Sequence, residues 1–342
     1  MNKLTKIGVS ALCGSLAAIT SASAGSMSVA GGATATWVSN EGQSTGNPIG
    51  LNSGLTFTGS GELDNGTTFT LTVTQADQTA YSSSNLVLTV PGLGVIGIDQ
   101  GAGGQGIDRL DDMMPTAWEE TSGTGTGTGL QTVAGVGGST NVEWGVSSDI
   151  LPDGLSVHVA YSPRATGVQS NDKATGVNDS GVGSGFDIVL QHSGLMDGLN
   201  VFAGMSEIEQ ELESATSDTT GDRTQYAAGF TYAVGATTLG YQQTRDNLQS
   251  SANAATSYYD NVAYGVSFNV NDDLSISYGI HESDKVLTDS TTVTNDASSL
   301  QIAYSMGGAS IKFAETSVDN AKYSAASVDD FSGHTIALTL AF

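Results

Sequence analysis

Acidic side chains are concentrated in one long glycine-rich segment, residues 100–139, and such a segment would attract cations. It carries five carboxylates around a single guanidinium: Asp108, Arg109, Asp111, Asp112, Glu119 and Glu120. Because Ca²⁺ takes several oxygen ligands, Asp108, Asp111 and Asp112 are a candidate Ca²⁺ site, although their spacing does not match an EF-hand. The simpler interpretation, which we favour, is a hydrated acidic rim that raises the local concentration of cations.

A glycine motif in the same segment could bind a dinucleotide. Residues 101–106 match G-x-G-x-x-G and follow a predicted strand. Dinucleotide binding requires a βαβ unit, and no alternation of strands and helices follows here. We therefore interpret these glycines as a turn that lets the segment fold back.

A second acidic run lies later in the chain, where Glu207, Glu209, Glu211 and Glu213 occupy every other position. In an extended chain these four carboxylates share one face. The run is most simply a solvated face; the alternative is a surface that bridges to divalent cations.

The whole chain is strongly acidic, with 35 Asp and Glu against 10 Lys and Arg and a formal net charge of −25. This charge argues against a nucleic-acid partner, which would require basic patches. The 45 Gly and five Pro, together with abundant Ser, Thr, Val and Tyr, favour strands joined by glycine-rich turns. No segment after residue 24 approaches the 18 or so consecutive apolar residues of a membrane-spanning helix.

The first 24 residues have the layout of a secretory signal peptide. Lys3 and Lys6 precede an apolar stretch over 7–19, and Ala22-Ser23-Ala24 is a small-x-small cleavage pattern. The single cysteine, Cys13, lies inside this segment. We therefore predict an exported mature chain, 25–342, with no disulfide and no cysteine-ligated metal.

Strict alternation of apolar with small or polar residues predicts strands along the whole mature chain. The last strand is the clearest, with Ile336, Leu338, Leu340 and Phe342 on one face. About sixteen such segments are predicted. They span 26–37, 54–62, 67–75, 85–90, 93–99, 140–147, 155–162, 184–192, 198–206, 224–233, 236–245, 258–269, 273–282, 298–305, 309–317 and 332–342.

The connections between these segments alternate between tight turns and long polar stretches. The long ones are 38–53, 76–84, 100–139, 163–183, 207–223, 246–257, 283–297 and 318–331. This regular alternation is typical of an antiparallel up-and-down transmembrane β-barrel, whereas a Greek-key sandwich would mix short and long connections. An even number of strands also lets the sheet close without an edge in lipid.

Sixteen strands enclose a lumen too wide for side chains to fill, so the apolar face must contact lipid and the Ser, Thr, Gln and Gly face must line water. Alternation then places Glu62, Glu143, Asp187 and Lys312 on the lumen wall. It also turns His281 away from lipid. The His-x-Ser spacing of His281 and Ser283 therefore predicts no lipid-hydrolysing site, and we expect the chain not to be an enzyme.

With this layout the mature chain resembles the general porins of Gram-negative bacteria, especially the alphaproteobacterial type. The resemblance implies a homotrimer of water-filled barrels in the outer membrane, each narrowed by an inward-folded third external loop, here 100–139. It also implies that Phe342 closes the barrel and anchors it at the interface. The expected activity is passive diffusion of ions and small hydrophilic solutes.

One departure from that family concerns charge. General porins set loop carboxylates against basic residues on the facing wall, but no Lys or Arg occurs between Gly25 and Asp108. We therefore expect a cation-attracting pore without a strong transverse field. The alternative function is a structural or adhesive surface barrel that acts through its external loops.

The first strand has an unusual outward face of small residues between two larger ones: Val29, Gly31, Ala33, Ala35 and Trp37. Small side chains allow another protein surface to approach closely. We predict that this part of the barrel contributes to a trimer interface; a poorly patterned first strand is the alternative.

Overall fold

The chain forms one closed antiparallel barrel of sixteen strands in the computed structural model. The structure describes residues 25–41, 46–77, 79, 81–168, 182–210, 218–324 and 330–342; the predicted signal peptide, 1–24, lies outside them. The strands are Ser26–Glu41 (β1), Ile49–Glu62 (β2), Thr68–Ala76 (β3), Ser83–Val90 (β4), Gly94–Gln100 (β5), Asn141–Val146 (β6), Leu155–Ser162 (β7), Val182–Ser193 (β8), Leu199–Gln210 (β9), Arg223–Val234 (β10), Thr237–Asn247 (β11), Thr256–Asn269 (β12), Leu274–Leu287 (β13), Thr292–Met306 (β14), Ala309–Asp319 (β15) and Phe331–Ala341 (β16). The predicted fold class and strand number are confirmed.

Each strand pairs with its sequence neighbours, and β1 pairs with β16 to close the sheet. The pairing continues past the end of β16, because Gly31 and Phe342 exchange two backbone hydrogen bonds of 2.9 Å. The absence of a side chain at Gly31 makes room for the Phe342 ring, since a Cβ at this position would lie 2.8 Å from a ring carbon. Phe342 therefore lies at the closing seam, with its ring exposed on the outer surface.

Two predicted long connections are wrong, because the strands beside them are longer than the apolar alternation indicated. The predicted connection 38–53 shrinks to the residues between Glu41 and Ile49, and 283–297 shrinks to the four residues between Leu287 and Thr292. The added residues of β13 and β14 are polar, yet they pair in register over their whole length.

The polar extension of β13 and β14 places like charges side by side. Asp296 is directly opposite Glu282 on one side and Asp319 on the other. Alternation turns these three carboxylates to the same outer face as Leu300 and Ile302. Like charges directly opposite each other destabilise a sheet, so this surface is a strained part of the barrel.

The two faces of the barrel match the predicted assignment. Large apolar side chains such as Tyr278, Leu300 and Leu338 are exposed on the outside. Their neighbours along the strand, such as Ser277, Gln301 and Ala337, are buried on the inside. An apolar exterior around a polar interior is the arrangement of a barrel that sits in lipid. None of the helices in the described ranges has the length and apolar content to cross a membrane.

Candidate functional site

The connection between β5 and β6, residues 101–140, folds into the barrel, as the sequence predicted. It begins with a glycine turn in which Gly101, Gly103, Gly104 and Gly106 all have positive φ. The backbone N–H groups of this turn donate to the chain's own carboxylates. Ala102 and Gly103 donate to Asp99, and Gly104 donates to Asp108 Oδ2 over 2.7 Å. The G-x-G-x-x-G motif therefore forms the entry of the loop into the lumen.

Two short 3-10 helices, Gly106–Leu110 and Gly135–Gly138, then pack against the inner wall. Ile107, Leu110 and Val133 of the loop form a buried apolar cluster with wall residues. Those wall residues are Val189 of β8, Phe202 of β9 and Ala227 of β10. At these strands the interior is apolar, and its side chains hold the loop rather than line water.

Glu143 and Asp187 point inward, as predicted, but the loop covers them. Asp187 is fully buried and accepts hydrogen bonds from the backbone N–H of Ile107, over 2.9 Å, and of Val136, over 3.1 Å. Glu143 accepts from Gly106 N over 2.7 Å and from the guanidinium of Arg109. Both wall carboxylates thus serve as acceptors for the loop's 3-10 helices.

Beyond the first 3-10 helix, the loop continues along the inner wall as far as β16. Gln301 of β14 accepts from the N–H groups of Trp118 and Glu119, both over 3.1 Å, and donates to Glu119 O over 2.7 Å. Thr335 of β16 donates to Thr124 O over 2.5 Å. The returning arm is held by Gln225 of β10, which accepts from two backbone N–H groups. These contacts place the loop against β6 to β16 and leave β1 to β5 as the facing wall.

On β1 to β3 the inward positions of the facing wall are mostly hydroxyls. Alternation turns Thr34, Thr58 and Thr72 and their neighbours inward, and each inward residue is registered opposite another inward residue of the next strand. Glu62 lies near the short-turn end of this wall, exposed, beside a cavity shared with Ser60 and Thr68. No Lys or Arg is present on these strands, so the wall offers hydrogen bonds but no positive charge.

The loop carboxylates come together around one narrow cavity between the loop and β11 to β13. Asp111, Asp112, Glu120 and the inward-facing His281 all line it. Burial, and then the negative charges of Asp108, Asp112 and Glu120, raise the pKa of Asp111 to about 7. The sequence therefore predicted a cluster that the structure does bring together.

The other two members of the predicted set are also perturbed. Burial is the main cause that raises the pKa of Asp108, and the charge of Asp112 raises it further. Burial and the neighbouring charge of Glu120 raise the pKa of Glu119, while Lys312 opposes this shift. These shifts show carboxylates crowded in a partly desolvated space. Among the described residues, no group of three or more His, Cys, Asp or Glu is placed to hold a metal ion; the Ca²⁺ site at Asp108, Asp111 and Asp112 stays a prediction.

Basic side chains on the inner side lie next to acids or aromatic rings. Lys312 of β15, predicted to face the lumen, places Nζ 5.7 Å from the Trp118 ring of the loop. Sequence reasoning missed Arg223 of β10, which faces inward and donates twice to buried Asp246 of β11. The direct pairing of these two strands could have revealed it, because positions 223 and 246 share the inward parity of Gln225 and Gln242.

The family is identified from the sequence: the family model described as Gram-negative porin matches residues 8–322. The chain belongs to the Gram-negative porins. A comparison with curated proteins finds no match.

Solved structures share the fold of this porin at low sequence identity. OmpF of Salmonella typhi in complex with daunomycin is 15% identical over 92% of this chain and 97% of its own, with a TM-score of 0.68. In-vitro folded OmpT of Vibrio cholerae, in trimer form, is 12% identical over 93% and 99%, with a TM-score of 0.64. An anion-selective porin from Comamonas acidovorans is 12% identical over 93% and 100%, with a TM-score of 0.60.

These likenesses show the fold alone, and the family and fold together indicate an outer-membrane channel rather than an enzyme. An anion-selective porin has a similar barrel, so the fold by itself does not determine whether a porin prefers cations or anions. The selectivity of this porin must therefore be argued from its own loop and wall residues.

Proposed function

We propose that this porin is a passive diffusion channel for ions and small hydrophilic solutes and that it prefers cations. The single observation that carries the charge preference is the pairing of an acidic loop with a facing wall that has no basic residue. Asp111, Asp112 and Glu120 line one cavity between the loop and β11 to β13, and the inward positions of β1 to β3 on the facing wall are mostly hydroxyls. Clustered charge of one sign attracts the opposite ions and raises their local concentration.

Two basic side chains on the inner side are paired with acids and so offset little of this charge. Arg109 pairs with Glu143 and Arg223 with Asp246. Lys312 is next to Trp118 and within electrostatic reach of Glu119. Positive charge that is already neutralised locally exerts little field on a permeating ion.

Reversal potentials in a planar bilayer under a KCl gradient test this proposal. The wild-type protein should show stepwise conductance and a reversal potential of cation-preferring sign. A Glu119→Gln/Glu120→Gln double variant should lose much of this preference. The matched control is Glu207→Gln, because Glu207 lies exposed on the outer face of β9. Absence of stepwise conductance would refute channel activity and favour a structural or adhesive surface barrel; anion preference would refute the charge argument.

We further propose a homotrimer whose interface includes the outward face of β1, where Val29 and Trp37 are exposed on either side of the small residues. The trimer form of the OmpT neighbour supports this assembly. Replacing Ala33 and Ala35 with Leu should weaken the trimer, as measured by size in mild detergent. Unchanged trimers would exclude this face.

Export through a signal peptide at 1–24 is part of the same proposal. It is supported by the basic start, the apolar stretch and the Ala22-Ser23-Ala24 pattern. Mass spectrometry of the mature protein should find Gly25 as the first residue, and a retained Lys3 would contradict it.

A further inference from the structure

We propose that Glu143 acts as a charge clamp: it holds the guanidinium of Arg109 against the wall and so keeps the loop's carboxylates unopposed in the passage. Arg109 is the single basic residue of the loop, 101–140. The inference rests on the proposed cation preference and explains why the loop's own positive charge does not weaken it. Glu143 is in this view a positioning residue for selectivity.

The contacts of Glu143 engage both of its oxygens. Oε1 accepts from Arg109 Nη2 and lies 3.1 Å from His158 Nδ1. Oε2 accepts from Gly106 N over 2.7 Å. The side chain is only 8% exposed, against 27% for Arg109. A carboxylate this enclosed binds a cation strongly, because breaking the pair would leave a buried charge without compensation.

Arg109 depends on this one partner. Within the described ranges, Glu143 is the acid with which Arg109 forms an ion pair, and the buried Nε of Arg109 has no hydrogen-bond acceptor there. Without the Glu143 charge, the guanidinium would gain by turning toward solvent or toward other carboxylates. Its sequence neighbour Asp108 and the nearby Asp111 belong to the acidic cluster.

The space into which Arg109 would turn is part of the passage. Arg109, Glu143 and His158 line a cavity of about 680 Å³ that extends from the loop to the short-turn end of the barrel. Asn85 of β4, on the facing wall, lines the same cavity. A released guanidinium would therefore stand between the acidic loop and the hydroxyl wall, where it would repel permeating cations.

The second loop anchor, Asp187, provides a matched control. It is also buried and also accepts two loop N–H groups, those of Ile107 and Val136. The fit is close, because a Cβ at Gly106 or at Gly135 would lie 2.2 Å from Asp187 Oδ2. Asp187 differs from Glu143 in having no ion pair with a basic side chain among the described residues. Neutralising Glu143 or Asp187 removes one negative charge from the wall beneath the loop. Only the change at Glu143 also releases a positive side chain, that of Arg109.

The test compares reversal potentials of four variants with the wild type under a KCl gradient. Glu143→Gln keeps an acceptor for Gly106 and should lower the K⁺ over Cl⁻ permeability ratio by at least about five-fold, because one nearby charge in a water-like dielectric changes the concentration of each ion by about that factor, in opposite directions. Adding Arg109→Gln to this variant should restore the ratio to within about two-fold of the wild type. Asp187→Asn should also leave the ratio within about two-fold, although it can alter conductance and current noise.

The results separate the clamp from a merely structural role. Equal losses in Glu143→Gln and Asp187→Asn would overturn the clamp in favour of a simple charge count. A double variant that stays low would overturn it in favour of loop displacement. The heat-induced mobility shift on a gel verifies that each barrel has assembled. Should Glu143→Gln fail to assemble, Glu143→Asp decides: a clamp predicts a lower K⁺ over Cl⁻ ratio, because the shorter carboxylate no longer reaches Arg109, and an unchanged ratio refutes it.

Failure of the proposed function has a different signature. A wild-type protein without cation preference would contradict the proposed function whatever the variants do. A difference between Glu143→Gln and the double variant would still report whether Glu143 restrains Arg109.

Discussion

Asp111 should make the selectivity of this porin depend on pH near neutrality. Its pKa is raised to about 7 by burial, and then by the charges of Asp108, Asp112 and Glu120. A carboxyl group with a raised pKa is neutral below that pH and negative above it. Raising the pH from about 5.5 to about 8.5 should therefore add almost one full negative charge to the cavity, from about 3% to about 97% ionised.

The size of the effect follows from Coulomb's law. A unit charge about 4 Å from a permeating ion contributes roughly 1 kcal/mol in a water-like dielectric, which changes the local concentration of that ion about five-fold. Because the charge attracts K⁺ and repels Cl⁻, we expect the K⁺ over Cl⁻ permeability ratio to rise by up to about 25-fold across the pH range. Asp108 and Glu119 also have pKa values raised mainly by burial, so they contribute to the same pH dependence. Docking of the loop should weaken as the pH rises, because a buried carboxyl group with a raised pKa favours the docked state only while it is protonated. This contribution is lost as the pH rises from the ordinary pKa of an aspartate to the raised pKa of Asp111, about 7.

The assay is the reversal potential at fixed KCl gradient, measured at half-unit pH steps. Asp111→Asn should remove the part of the transition centred near 7. Glu207→Gln, on the outer face of β9, should leave the whole curve unchanged. A wild-type ratio that is flat between pH 5.5 and 8.5, or an Asp111→Asn curve that superimposes on it, would refute the assignment.

Three further expectations concern the loop and the barrel. Gln301→Ala removes three hydrogen bonds to the loop, each contributing about 1 kcal/mol, so the loop should loosen and the channel should show a larger, noisier conductance. The control Gln243→Ala, on the outer face, should leave the conductance unchanged, and equal current traces from the two variants would contradict this anchoring. Asp296→Asn relieves repulsion from two acidic cross-strand neighbours, so the barrel should gain about 0.5 kcal/mol of stability and unfold at a higher temperature at low salt. The gain should shrink in 1 M salt. The control is the turn variant Asp64→Asn, and an equal gain in that variant would attribute the effect to net charge instead. Deleting Phe342 removes two hydrogen bonds between β1 and the end of β16 and should lower the yield of inserted barrels in a lipid-insertion assay. The selectivity of the assembled pores should be unchanged. Altered selectivity would show that this strand pairing also affects the passage.

The strands and their two faces were predictable because alternation is a local property of the chain. Each apolar outward position, such as Tyr278 or Leu300, lies two residues from the next on the same face. The paired ends of β13 and β14 were missed because the alternation of apolar and polar residues stops where the strands extend beyond the lipid-facing part of the barrel. There Ser283, Asp284 and Lys285 follow one another without apolar alternation, and a polar strand cannot be told from a loop by hydrophobicity.

The composition of the loop was predictable, but its path was not. The acidic cluster could be named from the sequence because its members are close along the chain. The loop's acceptors, by contrast, lie on strands far away in sequence, and their choice depends on the closed barrel. Three inward-facing glutamines, Gln225, Gln242 and Gln301, all bond to loop backbone. A long amide on a wall of small residues is a mark that sequence reasoning could have used.

The distribution of the loop's anchors has a consequence for the order of assembly. Gly106 bonds to a residue 37 positions away, Ala117 to one 160 positions away, and Thr124 to one 211 positions away. The last of these partners, Thr335 of β16, is in place only once β16 has joined β1. Docking of the loop must therefore follow closure of the barrel, since contacts between distant parts of a chain form late. A newly inserted barrel would pass through a wide-bore stage, and larger, less selective current steps that shrink within the same recording would be its trace.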